Sequence, residues 1–507
     1  MRWLLELLRV FLFPRHRPKG MVRPWALSVP VLVLVLALPL LRPIRHPDPR
    51  QISDNEMALL ATTQALAEFD TLAIDQTAFA ETRRKVKVVD AGGVMRSYAD
   101  QPPAMAVLLA VAYRVMRFYR LTLDHDAPTV AYLLTLLGVT LPAACAAGLV
   151  YRMGRLFELP RQKRAVLGAV AVFATGLFSY ATVLNTQVPA ATLVLASAAC
   201  LLHITISPHK PLTPLWLFGA GICAAMAAAI DPTALPFLPM LAGAVLVYKW
   251  TWWRRLGGLL LFIAGTVGPA ALHAGFAWSG TGDFWQGMSY AAPGYAHAEP
   301  ANPLEFPDDS GSFWHTLGRV AGGTIAVFFG GHGLLSHFPV VAIGILGVTM
   351  VMHRHWPQTA KVLAAGTLAA AVFIMIVYSA NRPPGIGWRD AMFAAKWFVV
   401  FTPMVLLWAG AWLRRPHRTG SWAVAGTLLI WSVTVGVIGA AYPQPRNGYD
   451  GFTAWQAMRS LWRNDPVADP LNQPPPATAT STRPVTEPGS TMPSGEPADG
   501  DILDPTS

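Results

Sequence analysis

Apolar residues run through this chain in long blocks, separated by short polar or basic breaks. Several blocks approach the ~20 residues a helix needs to cross a bilayer. They predict spanning helices near residues 25–41, 129–150, 165–184, 189–206, 212–230, 233–248, 257–278, 333–352, 362–379, 397–413 and 421–441. The pattern is that of an all-α polytopic membrane protein of about eleven spans. No short period repeats along it.

Segment 103–120 is apolar enough to suggest a further span, but Arg114 and Arg117 interrupt it and Arg120 follows. If it crossed, the cluster Arg152, Arg155, Arg161, Lys163 and Arg164 would fall outside. If it lies in the interface, that cluster and the later short basic loops at Lys210, Lys249/Arg254/Arg255, Arg354/Lys361 and Arg414/Arg415/Arg418 all fall inside. Short basic loops belong on the cytoplasmic side, so the segment is expected to be an amphipathic interfacial helix with snorkelling arginines.

The organisation follows. Residues 1–24 form a basic cytoplasmic N-terminus without a signal-peptide cleavage site. Residues 25–442 form the membrane domain, with outer loops at 42–126, 279–321 and 381–396. Residues 443–507 form an outer tail, Pro-, Thr- and Ser-rich and expected to be disordered beyond about 471. An odd number of spans puts the C-terminus outside.

Composition agrees, with 53% hydrophobic and 13% charged residues, a balance suited to a membrane. The net charge of +11 would suggest nucleic acid in a soluble chain, but here Lys and Arg lie mostly between apolar blocks, where they set topology. Cys145, Cys200 and Cys223 sit inside apolar blocks, with neither a disulfide framework nor metal-ligand spacing. There is no Walker loop, dinucleotide fingerprint or zinc motif. This argues against an ATP-driven pump and against a soluble nucleotide-sugar domain.

The first outer loop holds the candidate chemistry. Ser53-Asp54-Asn55-Glu56 contains a capping box, predicting a helix with Met57, Leu59, Leu60, Leu66 and Phe69 on an apolar face along the membrane surface. Glu56 serves that cap at least as readily as catalysis; the cap does not need Asp54. Arg83, Arg84, Lys85 and Lys87 read as a solvated charge run or a contact with lipid headgroups. Asp231-Pro232 reads either as a functional acid at the end of a span or as an ordinary turn.

Ser53–Glu56, Ala73-Ile74-Asp75, the Tyr98–Pro103 segment and the Leu184–Ala190 turn, set in this layout, resemble GT-C glycosyltransferases. The nearer resemblance is to bacterial relatives of protein O-mannosyltransferases and aminoarabinose transferases. It implies transfer of a sugar from a polyprenyl-phosphate carrier to an unidentified acceptor on the outer side of the inner membrane. By resemblance Asp54, then Glu56, is the base or acceptor-binding carboxylate, and Tyr98 belongs to the substrate-binding loop.

Many members carry a second acid in the next outer turn, where this chain has Asn185 and Gln187. A divalent cation held by two acids is therefore left open, and Asn185 reads equally as a substrate contact or a helix cap. Arg389 is expected to grip the donor phosphate, with Lys396 assisting or snorkelling. His332 and His337 suit phosphate binding or proton relay, though interface hydrogen bonding accounts for them at least as well. A transporter or flippase of lipid-linked intermediates would need charges within the spans, which are nearly free of them. A non-catalytic assembly factor of the same layout stays open through the Asn185/Gln187 substitution.

Overall fold

A computed structural model describes residues 24–41, 53–82, 85–89, 94–206, 213–248, 251–281, 313–331, 333–380, 393–394, 396–441 and 453–463. Helix α1 (Pro24–Ala37) is apolar, with Pro30 inside it. Helix α2 (Asp54–Glu68) starts at the predicted capping box. A hairpin follows, β1 (Lys85–Val89) antiparallel to β2 (Met95–Ala99), in the register Lys85 to Ala99 and Val89 to Met95. Helix α3 (Pro103–Phe118) opens on a proline in its first turn, where the missing N–H costs nothing.

The membrane bundle begins with α4 (Ala127–Phe157), which contains a π-helical turn at Leu136–Thr140. Then come α5 (Arg161–Phe173), α6 (Gly176–Tyr180), α7 (Gln187–Ile206), α8 (Thr213–Ile230) and α9 (Phe237–Leu246). Helix α10 (Trp252–Thr281) precedes α11 (Phe313–Phe329), α12 (Leu334–His337), α13 (Val341–Met352) and α14 (Gln358–Ala380). The last are α15 (Thr402–Leu413), α16 (Thr419–Ala441) and α17 (Thr453–Arg463).

Among the described residues, six helices are long and apolar enough to cross a membrane, or up to seven if the bent pair ending in α13 is one span. This is a multi-pass, all-α membrane protein. The expected count of about eleven counted apolar blocks, and several blocks are broken. Block 165–184 splits at Ala174, and Thr175 caps the second piece by accepting the Leu177 N–H at 3.1 Å. Block 333–352 bends at Pro339, between α12 and α13. Block 397–413 starts as a 3-10 turn, Lys396–Val399, before α15. The loop expected at 279–321 is shorter, because α11 begins inside it; residues 282–312 lie outside the described residues.

Two features of the first loop differ from expectation. Helix α2 does not lie on a surface: residues 57–65 are buried all round. Its polar positions are satisfied internally. Thr62 and Thr63 donate to Ala58 O and Leu59 O at 2.9 and 2.7 Å, and Gln64 accepts the Ala78 N–H at 3.0 Å while donating to Asp124 at 3.0 Å. The expected amphipath is α3, which packs over α2 and carries Tyr113 buried and Arg114 and Arg117 towards the polar side. The second difference is the hairpin. Its Lys-Val-Lys-Val-Val alternation reads as a charge run when only the cations are counted, yet period-2 alternation is what a strand requires.

Helix pairing relies on small residues. At Gly221 of α8 an added Cβ would stand 2.0 Å from Phe262 O, and at Gly265 of α10 one would stand 2.2 Å from Phe218 O. The two backbones therefore touch, the usual device for helix association in lipid.

Candidate functional site

The end of the bundle that carries the first loop gathers most of the candidate residues. Asp54 is the first residue of α2. Ser53 caps the helix: its Oγ accepts the Glu56 N–H at 3.3 Å, and its own N–H donates to Glu56 Oε2 at 3.2 Å. The Ser53 hydroxyl also donates to Oε2, at 2.9 Å. The other carboxylate oxygen, Oε1, accepts the backbone N–H of Leu184 at 3.1 Å. Glu56 thus binds the start of α2 to the turn between α6 and α7, and both its oxygens are engaged.

The Tyr98–Pro103 segment closes on the same place. Gln101 donates through Nε2 to Asn55 O at 3.2 Å and to Asn55 Oδ1 at 3.1 Å. The sequence gives Gln101 no distinguishing pattern, yet it joins the two loop motifs. Tyr98 sits in β2 opposite Val86, bridges to Ala73, and is 6% exposed against Leu72 and Phe276. Asp75, third residue of the Ala-Ile-Asp motif, accepts the Ser97 N–H at 2.9 Å.

Beyond Leu184 the turn is held from within. Asn185 is buried; its amide donates to Tyr180 O at 2.6 Å and Val183 O at 2.8 Å, and its Oδ1 accepts the Val188 N–H at 3.0 Å. All three bonds are to main chain, so Asn185 caps the first turn of α7. Gln187 and Thr186 face Asp231, a carboxylate only 3% exposed. Asp231 Oδ2 accepts from Thr186 Oγ1 at 2.6 Å and Gln187 Nε2 at 2.7 Å. Oδ1 accepts from Thr233 N at 3.0 Å and Thr233 Oγ1 at 2.6 Å. A buried carboxylate is tolerable when donors surround it, and here four do.

The turn is also tied to segments far along the chain. Ser179 Oγ donates to Gly436 O at 3.1 Å, Tyr180 Oη to Phe393 O at 2.7 Å, and Thr182 Oγ1 to Ala440 O at 3.0 Å.

His337 is wholly buried. Its Nδ1 lies 2.8 Å from Gly333 O, which can only accept, so Nδ1 carries the proton. Nε2 is hydrogen-bonded to Thr453 Oγ1 at 2.6 Å. Lys396 is 6% exposed at the start of the 3-10 turn. Arg389 and His332 lie outside the described residues. Among the described residues no three His, Cys, Asp or Glu side chains are grouped as a metal site.

On the outward side of the loop, Glu68 accepts from Tyr113 Oη, whose oxygen in turn accepts the Leu123 N–H at 2.8 Å. Burial, then the bond to Glu68, raises the Tyr113 phenol well above its ordinary value.

No protein-family model and no curated protein matches the chain. Several solved structures show likeness, two of which follow. One is ArnT from Cupriavidus metallidurans bound to undecaprenyl phosphate, at a TM-score of 0.44 and 17% identity over 82% of this chain and 64% of that one. The other is the oligosaccharyltransferase AglB from Archaeoglobus fulgidus, in complex with an inhibitory peptide and a dolichol-phosphate, at 0.48 and 12% identity over 87% of this chain and 58% of that one. Both are GT-C glycosyltransferases, the class the sequence motifs resemble. The likeness is confined to the arrangement of helices, and the chain spans less than two thirds of the length of either.

Proposed function

We propose that this protein is a GT-C-type glycosyltransferase of the bacterial inner membrane. It moves a sugar from a polyprenyl-phosphate carrier to an acceptor hydroxyl on the outer side, with the N-terminus cytoplasmic and the C-terminus outside. The observation that carries this is the convergence of the Ser53–Glu56 motif, Gln101 and the Leu184 turn at one end of the bundle.

Asp54 takes the acceptor proton as the hydroxyl oxygen bonds to the anomeric carbon. The bond from that carbon to the phosphate oxygen breaks, and the carrier leaves as its phosphate. Arg389, with Lys396, neutralises the charge that develops there. Glu56 is a positioning residue, because both its oxygens are spent on the cap and on Leu184. Asn185, Tyr98 and His337 shape the scaffold through the contacts described above.

The test is turnover of a polyprenyl-phosphate sugar by purified, reconstituted protein. Asp54→Asn in a chain that inserts and unfolds like the wild type is expected to lose at least about a hundredfold in rate, the lower end of general-base contributions. Unchanged turnover removes Asp54 from the mechanism.

A further inference from the structure

We propose that α17 is an interfacial anchor that docks on an anionic phospholipid surface at the end of the bundle carrying the candidate site. The helix reads Thr-Ala-Trp-Gln-Ala-Met-Arg-Ser-Leu-Trp-Arg and contains no acid. Thr453, Ala454 and Ala457 are buried against the protein. The opposite side presents Trp455, Met458 and Trp462, which are 54%, 37% and 90% exposed. With Arg459 and Arg463, also exposed, they fall at i, i+3/i+4 and i+7/i+8 and form one stripe.

Three observations select a bilayer as the occupant. The first is place. Helix α17 follows shortly after the span α16, and Thr453 is pinned where that span ends. Its N–H donates to Gly331 O at 3.0 Å, its hydroxyl reaches His337 Nε2 at 2.6 Å, and the Ala394 N–H donates to its Oγ1 at 3.2 Å. Ala440, near the close of α16, bonds to Thr182 beside the Leu184 turn. The start of the helix is thus held beside the close of α16, the place at which a headgroup layer would meet it.

The second is composition. Tryptophan favours this depth, since its ring is apolar and its N–H stays wet. The third is charge. Two arginines on a helix that itself holds no acid complement anionic headgroups, at about 1 kcal/mol each near such a surface, which is about fivefold in the docked-to-free ratio per arginine.

The experiment uses the full-length protein in nanodiscs of phosphatidylcholine, with and without phosphatidylglycerol. A nitroxide is placed at Met458→Cys in a chain whose native cysteines are replaced, with Trp462→Cys as a second reporter should the first variant fold poorly. Collision with oxygen is expected to exceed collision with a water-soluble nickel chelate by about twofold or more in the anionic disc, as for a residue below the headgroups. Arg459→Gln and Arg463→Gln are each expected to lower the docked-to-free ratio about fivefold there. Water-like access in both discs overturns the proposal. So does exclusion of both reagents, which would put the undescribed tail or a second copy of the chain on the stripe. Immersion that does not depend on lipid charge overturns the role of the arginines.

Discussion

Glu56 and Leu184 lie 128 residues apart in the chain, yet the carboxylate Oε1 of one accepts the backbone N–H of the other at 3.1 Å. The same carboxylate closes the cap on α2 through Oε2. One side chain therefore sets both the direction in which α2 starts and its distance from the α6–α7 turn.

Glu56→Ala removes the reciprocal half of the capping box, leaving Ser53 Oγ on the residue-56 N–H, and orphans the Leu184 N–H. Together these are expected to cost about 2–4 kcal/mol, from a lost hydrogen bond of about 1 and an unmet buried donor of about 1–3. Glu56→Gln keeps a single acceptor oxygen and is expected to cost roughly half. Detergent-phase unfolding curves check both. A loss under about 0.5 kcal/mol for Ala, the range of neutral surface changes, removes the latch.

Asp231 sits at the centre of four donors, so truncation leaves buried groups unpaired rather than merely losing a contact. Asp231→Ala is expected to cost roughly 3 kcal/mol or more, since bonds to a charged acceptor are worth about 1.5–3 each. Double variants with Thr186→Val or Gln187→Leu are expected to be less than additive, because each removes a donor already orphaned. Strict additivity in the same unfolding measurement would mean the donors do not share the carboxylate.

Tyr113 supplies a pH dependence. Its folded phenol titrates above the unfolded value of about 10, because burial, then the bond to Glu68, disfavours the phenolate. A group raised in the folded state stabilises fully below the unfolded value and loses that contribution as pH climbs towards the folded one. Wild-type stability is therefore expected to fall more steeply above about pH 10 than that of Tyr113→Phe, with no difference in slope near neutrality. Parallel curves throughout would contradict the buried Tyr113–Glu68 contact.

Gly221 and Gly265 test the close approach of α8 and α10. Alanine at either places a Cβ within 2.2 Å of a carbonyl oxygen of the partner helix, so the helices must separate. A loss of about 1–3 kcal/mol, the usual cost of overpacking, is expected in thermal unfolding. Gly257→Ala, also in α10 but with nothing within 4 Å of its Cβ, is the matched control and is expected to stabilise slightly.

What the sequence discloses is largely local. The capping box at Ser53 and Glu56 needs residues three apart, and the amphipathic α3 declares itself through Arg114 and Arg117. Asn185 reads from the sequence as a substrate contact or a helix cap, and its three hydrogen bonds are to main chain. What stays hidden is contact across sequence. Gln101 meets Asn55 and Glu56 meets Leu184 only once helices are packed, and no residue pattern records that. The burial of α2 is hidden for a related reason: Thr62, Thr63 and Gln64 look solvent-facing until their partners are known. The breaks at Ala174 and Pro339 sit inside blocks whose hydropathy is continuous, so a count of apolar blocks overstates the uninterrupted spans.

The bonds from Ser179 and Thr182 to Gly436 and Ala440 join the middle of the chain to α16, and the bond from Tyr180 to Phe393 joins it to the residues just before α15. During synthesis those acceptors emerge from the ribosome long after the first loop has been delivered. A nascent chain stopped before α16 would hold the Leu184 corner without the bonds from Ser179 and Thr182, keeping only the one from Tyr180 to Phe393. That corner is therefore fully braced only after α16 has been made, long after the helices it joins.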